Sequence, residues 1–567
     1  MSQVRRRVAV VFGVVGLVVV FWLGNQVWAR GRAGVVAGQP FAALTAGVGA
    51  VTSPRLVLSL DFGDVVAGLV AVTIAGCGVV YYRLSQPQRG GQEHGSARWG
   101  RPRDIKPLTH RVVERNLWLT RGVRLSLDRV AKPEHQRNLN VLVIGGSGTG
   151  KSRNFVMPNL VRGLSSGVVT DPKGELLAMS GAALKEAGFK IRVLNLVDFA
   201  QSDCFNPFRY LRPGHEPEDV ARMVRAIITN TTNPARQGGD RFWDDAESGL
   251  LNALIAFVAA TYAPEEQHLG SVMDLLGQME ATPTGEASSQ VDQLFTAASQ
   301  VGDIELIKYA QAQHRVFTQA AQKTAASILV TTGTRLAPLH IPAVRRLLER
   351  DTLHLDLVGQ EKTMLFLVIS DADKQFAWLA SMVFTMFFQR SVWLADKEPS
   401  RHLPIPVHCW MDEFANIGKI PDFEVLAATL RSRGISFSAI VQNLGQGKAL
   451  YDQTGWQTIM GNCDSTLFLG SSDAETRKWI SEALGKQTIR TVDYSTNRGR
   501  GGASRQHRTI ARDLLSADEV GRLPGREALV LVRGLPPFRD RKLAPAPERE
   551  PYRHERIEPC QNLSHQI

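Results

Sequence analysis

The sequence predicts an α/β fold interrupted by an all-helical insertion and preceded by membrane-spanning helices. Four observations predict it. A glycine-rich loop, GGSGTGKS at residues 145–152, directly follows the apolar run Leu139–Ile144. A second such run, Pro406–Glu413 (PVHCWMDE), ends in an acidic pair about 260 residues later. Between them, residues 214–335 carry stretches with helical spacing of apolar residues and few strand-like runs. Two long uncharged segments stand near the amino terminus.

At 567 residues the chain exceeds one compact core. Its net charge of +12 points to a polyanionic partner or surface, nucleic acid or anionic lipid. The five cysteines are scattered without a C-x-x-C pair, and no HExxH motif occurs. That argues against a zinc site or a disulfide framework and fits a reducing compartment.

In chain order, Arg5, Arg6 and Arg7 precede the uncharged run Val8–Ala29, long enough to span ~30 Å of hydrocarbon as a helix. Val65–Tyr82 is a second such run, followed by Arg83, Arg89, Arg98 and Arg101. Basic residues on both outer flanks place both termini in the cytoplasm. Residues 1–82 are thus read as a membrane anchor with helices at 8–29 and 65–82. A cleaved signal peptide ending at Val27-Trp28-Ala29 is the rival for the first run, and the second span would still return the loop to the cytoplasm. Ala33–Val51, uncharged but rich in Gly, reads as a loop or re-entrant piece, with a third span as the alternative. Residues 83–138 form a polar, Arg- and Gly-bearing connector with no assigned chemistry.

The loop Gly145, Gly146, Ser147, Gly148, Thr149, Gly150, Lys151, Ser152 fits the P-loop pattern in its proper strand–loop–helix context. Its glycines let successive N–H groups turn towards a phosphate. Lys151 is expected to reach the β/γ phosphates of ATP, and the Ser152 hydroxyl to bind Mg²⁺. The next strand, Ser166–Thr170, runs into Asp171-Pro172-Lys173-Gly174-Glu175. Asp171 reads as an N-cap with Pro172 at N1. The functional alternative sets Lys173 and Glu175 at the sheet's carboxyl edge, where nucleotides bind. Ile191–Leu196 is a third strand.

In the insertion, Val220–Thr229, Ser248–Tyr262, Ser271–Met279 and Val291–Ala312 are expected helices, and Phe242–Asp245 leads into the central one. Thr363–Ile369 returns to the sheet, and Trp378–Trp393 is a long apolar helix. The Pro406–Glu413 strand reads as a Walker B strand: Asp412 for the Mg²⁺, Glu413 as general base. Ile435–Val441, Thr466–Leu469 and Ala528–Val532 complete the strands, the last at a sheet edge. Gln442, just past a strand end, suits a γ-phosphate sensor or a plain strand-end hydrogen bonder. Arg431 and Arg433 are surface arginines or candidates for a finger supplied to a neighbouring subunit. Residues 488–512, with Arg490, Arg498, Arg500, Arg505, Arg508 and Arg512, read as a phosphate-contacting segment or a solvated loop.

These pieces resemble the TraG/TraD-type family of type IV secretion coupling proteins. The resemblance rests on GGSGTGKS, TDPKGEL at 170–176, FNPF at 205–208 and FW..AE at 242–247. It rests further on MDEFANIGKIPDFE at 411–424, RSRGIS at 431–436, Gln442 and NCDSTLFLG at 462–470, within about residues 90–540. It implies a RecA-like P-loop ATPase at 139–213 and 336–543 with an all-α domain at 214–335, and a disordered tail is expected at 544–567. It also implies an inner-membrane, multi-pass homo-hexamer with its ATPase in the cytoplasm. That assembly would pass single- or double-stranded DNA, with its relaxase or relaxosome, to the type IV secretion channel. Carried over by residue, Lys151 and Ser152 take the P-loop roles, Asp412 and Glu413 the Walker B roles, Gln442 the sensor role and Arg433 the finger. The rival readings are a nucleotide-switched receptor or scaffold that does not pump, and a DNA translocase of the FtsK/HerA kind. DPKGEL and IGKIP speak against the latter.

Overall fold

The structure is a computed structural model. It describes residues 3–53, 58–85, 92–128, 130, 132–232, 241–279, 290–298, 300, 304–370, 373–495, 504–547 and 549–554. It divides into two units, Met1–Ser96 with Gln487–Arg512, and Ala97–Lys486 with Asp513–Ile567.

In the larger unit, short helical turns at Pro102–Ile105 and Lys106–Leu108 precede a small hairpin, β1 (Asn116–Trp118) and β2 (Arg124–Ser126). The main sheet then collects β3 (Val141–Gly145), β4 (Ser166–Asp171), β5 (Lys190–Asn195), β6 (Thr363–Val368), β7 (Val407–Met411), β8 (Ile435–Val441) and β9 (Ser465–Gly470). The smaller unit's hairpin is β10 (Lys486–Ser495) and β11 (Ser504–Asp513), and β12 (Glu527–Val532) and β13 (Phe538–Arg541) return to the sheet. The nine strands run in the order β13-β12-β9-β3-β8-β7-β4-β6-β5. From β9 to β5 every pairing is parallel, while β12 is antiparallel to both β9 and β13. β3, β4, β6 and β7 are buried along their whole length, as parallel strands covered on both faces must be.

Alternate residues serve two cores. Leu142, Ile144, Val168, Leu365, Leu367 and Phe437 face the core shared with the helical insertion. Val141, Val143, Val169, Phe366 and Trp410 face the other, which includes Ile105, Leu117, Leu119 and Leu125. The stretch read as a mere connector therefore supplies part of a core. Its apolar residues are too widely spaced to signal this locally. The sheet also extends one strand beyond the expected edge, because β13 pairs with β12. With polar residues at three of its four positions (FRDR), β13 carries no strand signal.

The insertion enters and leaves the sheet at one clasp. The Cys204 carbonyl accepts the Thr352 and Leu353 amides at 2.9 and 3.1 Å, and the Phe205 amide donates to Leu347 O at 2.8 Å. Asn206 of FNPF caps its own turn through Phe208 N and donates Nδ2 to Gln267 O at 2.8 Å. The Tyr210 hydroxyl donates to Asp351 Oδ2 at 2.6 Å. Burial, followed by the adjacent Asp351 charge, pushes that phenol far above its ordinary range.

Expected helices appear at Glu216–Thr231, Arg241–Thr261 and Leu269–Gly277. The run read as one helix, Val291–Ala312, is instead two, Gln290–Ala298 and Glu305–Thr318. Within the insertion Arg335 is enclosed. Its Nε donates to Glu247, Nη2 to Asp244, and Nη1 to Thr231 Oγ1 and Thr232 Oγ1 at 3.0 and 2.9 Å. Trp243 packs half-buried against the same core. The long apolar helix Ala377–Lys397 lies between insertion and sheet, buried through Trp378–Phe388. Asn230 of the first insertion helix binds the backbone of the loop after β7. It donates to Lys419 O at 2.9 Å and accepts from Lys419 N at 2.7 Å. Gly418, at φ +81, is required there, since a Cβ would sit 2.5 Å from Asn230 Oδ1.

In the smaller unit, α1 (Gln3–Val36) and α3 (Phe62–Ser85) are long and apolar enough to cross a membrane. Between them α2 (Pro40–Thr52) forms where a loop or re-entrant piece was expected. At 13 residues, ~20 Å, it is too short to span. It lies against α1 because small residues allow it: a Cβ on Gly34 would come within 2.7 Å of Ala43 N. Residues 488–512 hold the β10–β11 hairpin rather than a plain loop, with Arg490 and Arg508 exposed. Arg498 and Arg500 lie outside the described residues. Of the expected disordered tail, residues 548 and 555–567 also lie outside them. The preceding part is ordered by contact: Tyr552 N donates to Ala178 O at 2.7 Å, and its ring covers Gly181.

Candidate active site

The sheet order sets the site. β8 lies between β3 and β7, so the loop after β3, the carboxylates after β7 and the first residue past β8 meet at one carboxyl edge. The loop itself is built for an anion. Gly148 and Gly150 adopt φ +74 and +89. A Cβ on Gly148 would meet nothing within 4 Å, so the loop encloses open space. Gly146 N donates to Gly470 O at 2.9 Å, and the Thr149 hydroxyl to Gly146 O at 2.7 Å, which fixes the loop from both sides. The following helix opens with a π-turn, Ser152–Val156, a device that recurs where helices serve a site.

Lys151 is buried, with Nζ 3.2 Å from Glu413 Oε1. The Ser152 hydroxyl donates to Asp412 Oδ2, joining residues 260 apart in sequence. Asp412 is fixed from behind by Thr170, whose Oγ1 donates to its carbonyl at 2.6 Å. Burial raises the Asp412 carboxyl to about 6. The Ser152 bond and the Lys151 charge oppose that shift, and the Glu413 charge adds to it. Gln442 Nε2 donates to both carboxylate oxygens of Glu413 at 3.2 Å. Glu413 itself has φ +52, a left-handed backbone that turns its side chain back towards Lys151.

The structure thus brings together Lys151, Ser152, Asp412, Glu413 and Gln442. It does not bring Arg433 to them. Arg433 precedes β8, at the opposite edge of the sheet from Gln442, and pairs with Asp396 at 3.1 Å. Its Nη1 donates to Thr429 O and Ser432 Oγ at 3.2 and 3.0 Å. Arg431 is exposed and borders a cleft of about 770 Å³ with Arg137 and His402. Asp171, read as an N-cap, ends β4 instead. Gly174 takes the cap position at φ +73, and Asp171 Oδ2 accepts Leu177 N at 2.8 Å from one turn away. Lys173 and Glu175 are exposed beyond the end of β4.

A hard-oxygen pair, Ser152 hydroxyl and Asp412 carboxylate, beside an open phosphate loop suits Mg²⁺ with a nucleotide. Asp412 is 3% exposed and, among the described residues, has no lysine or arginine ion-pair partner. A cation there would relieve it.

With the fold and this edge described, comparison with known proteins is decisive. The family model described as "Type IV secretory system Conjugative DNA transfer" matches residues 105–545. The chain belongs to this family. Among its relatives is the conjugal transfer protein TraG of Escherichia coli, 26% identical over 475 residues, covering 76% of this chain and 71% of the relative. Another is protein VirD4 of Rhizobium radiobacter, 24% identical over 497 residues, covering 84% and 67%. The chain superposes on the bacterial conjugative coupling protein TrwBdeltaN70 with a TM-score of 0.59, at 17% identity over 84% of this chain and 98% of that one. Against plasmid coupling protein TrwB in complex with ADP and Mg²⁺ the TM-score is 0.57, at 17% identity over 84% and 99%. These likenesses show a shared fold: the RecA-like P-loop core with its all-α domain.

Proposed function

We propose that this chain is a membrane-anchored, ATP-hydrolysing coupling protein that drives DNA into a type IV secretion channel during conjugation. Family membership supports the process. The convergence of Lys151, Asp412, Glu413 and Gln442 on one sheet edge supports the chemistry, and it is the observation that carries the reading. The TrwB structure described with ADP and Mg²⁺ supports the ligand.

Ser152 and Asp412 would hold Mg²⁺, which neutralises phosphate charge when bound. The loop amides of Gly148, Gly150, Lys151 and Ser152 bind the phosphates. The Lys151 ammonium, here paired with Glu413, turns to the phosphates when nucleotide enters. Glu413, still held by Gln442, is then free to accept a proton from the attacking water. Gln442 links that carboxylate to the end of β8 and so senses whether Lys151 has left it. Motion can pass onward through the 414–422 loop to Asn230 and the helical insertion.

In a homo-hexamer the arginine finger comes from a neighbour. Arg431, exposed, suits that task better than Arg433, which Asp396 and Thr429 restrain. Mixing Arg431→Ala with Lys151→Ala subunits should restore turnover that neither has alone, and mixtures without any recovery would remove Arg431 from the role. The helices α1 and α3 would set the assembly in the inner membrane, with the ATPase in the cytoplasm and the relaxase–DNA complex as cargo.

The deciding experiment is Glu413→Gln. The variant should bind MgATP like the parent and hydrolyse it ~10²–10⁴-fold more slowly, with or without DNA. DNA transfer at parental efficiency by this variant would replace the motor with a receptor or scaffold.

A further inference from the structure

The phosphate loop has a partner that no local motif marks. After β13 the chain passes the loop, and Lys542 is buried there at 7% exposure. Its Nζ donates to Thr149 O and Leu469 O, each at 2.8 Å. The next carbonyl, Leu543 O, accepts Asn154 Nδ2 at 2.8 Å from the helix that follows the loop. Asn154 N in turn donates to Gly150 O at 2.7 Å.

The consequence follows from the peptide unit. A trans peptide is planar, with C=O and N–H pointing in opposite directions. The Thr149 carbonyl shares its plane with the Gly150 N–H. An ammonium that holds the Thr149 oxygen on the outer side therefore aims the Gly150 amide into the cradle. Without that hold the plane is poorly determined. Gly150 sits at φ +89, and glycine crosses between backbone regions at low cost. The same ammonium grips Leu469 O, in the peptide before Gly470, whose own carbonyl accepts Gly146 N. One buried lysine thus braces both walls of the loop.

We propose that Lys542 is a positioning residue for nucleotide binding, locking the Thr149–Gly150 peptide so that the Gly150 N–H faces the phosphates. It touches no phosphate and acts through the loop backbone. The proposal rests on the nucleotide-site reading above and assigns the last sheet strand a task in it. Because the amide is engaged whenever phosphate is bound, the lock affects ATP and ADP alike and acts on affinity more than on turnover.

The test uses the full-length chain in lipid nanodiscs, with MgATP and MgADP binding by calorimetry and steady-state hydrolysis. Lys542→Met keeps the aliphatic stem and removes the donors. Its Kd for both nucleotides should rise about tenfold and its KM should follow, with kcat within threefold of the parent. Lys542→Arg, which restores donors, should recover most of that loss. A role confined to stability would lower the binding stoichiometry and the melting temperature but leave Kd unchanged, and that result overturns the proposal. Should Lys542→Met not fold, Lys542→Gln carries the test, because its shorter amide cannot reach both carbonyls. Parental Kd in that variant overturns the proposal equally. Lys151→Ala separates the two readings. If it too binds MgATP like the parent, the nucleotide site is misplaced. If it loses binding while the Lys542 variants keep theirs, only the brace is wrong.

Discussion

The larger unit buries one charge cluster in the helical insertion and another at the sheet's carboxyl edge. Around Arg335 all three guanidinium nitrogens donate, to Asp244, Glu247 and two threonine hydroxyls. At the sheet edge Lys151 pairs with one carboxylate, Glu413, while Asp412 holds a hydroxyl and, among the described residues, has no lysine or arginine ion-pair partner. In the first cluster one cation touches both carboxylates and links helices Glu216–Thr231, Arg241–Thr261 and Gln322–Arg335. In the second the cation reaches only Glu413, and burial raises the carboxyl of Asp412. Burial alone therefore does not mark a working site. A buried carboxylate beside a cation that pairs with another carboxylate is the feature that does.

The sharpest way to break this contrast is to remove the cation from each cluster. Lys151→Ala should lower ATP turnover by roughly 10³-fold, as losing a preorganised electrostatic donor does. It should shift the melting temperature much less than the insertion variant does. An active Lys151→Ala enzyme would end the comparison. Next in size, Arg335→Met leaves the buried Glu247 and the partly exposed Asp244 without their cation and should cost about 3–5 kcal/mol of stability. Denaturant unfolding followed by Trp243 fluorescence measures it, while turnover per folded molecule stays within about twofold of the parent.

A smaller effect concerns pH. Asp412 has a folded-state value of about 6, above the ordinary aspartate value of 3.8. The folded protein keeps this proton at pH values where the unfolded chain has lost it. The resulting stability is fully present below about pH 4 and disappears as pH rises through about 6. Asp412→Asn should accordingly be more stable than the nucleotide-free parent at about pH 8, by an amount on the order of 3 kcal/mol, and match it near pH 4. Equal melting temperatures at both pH values would show that the carboxylate is not under strain.

The same contrast explains what the sequence could reveal. GGSGTGKS, the acidic pair after an apolar strand and Gln442 are local patterns, because phosphate binding needs consecutive amides and strand ends need fixed spacing. The parallel strands were legible for the same reason: double burial makes them continuously apolar. Arg335 with Glu247, Asn230 with Lys419 and Lys542 with Thr149 were not legible. Each joins residues 88 or more apart, and no spacing rule connects them. β13 escaped because its FRDR run is polar, and α2 because its glycines suit close packing against α1 as well as they suit a loop.

The left-handed backbone at Glu413 has a consequence for how this protein can evolve. A non-glycine residue held at φ +52 costs about 1–2 kcal/mol that glycine or asparagine would largely recover. Selection for heat resistance alone would favour replacing this residue, at the expense of the proposed base. The chain's hardiness and its work therefore pull one backbone angle in opposite directions, and the glutamate's presence there records which of the two has prevailed.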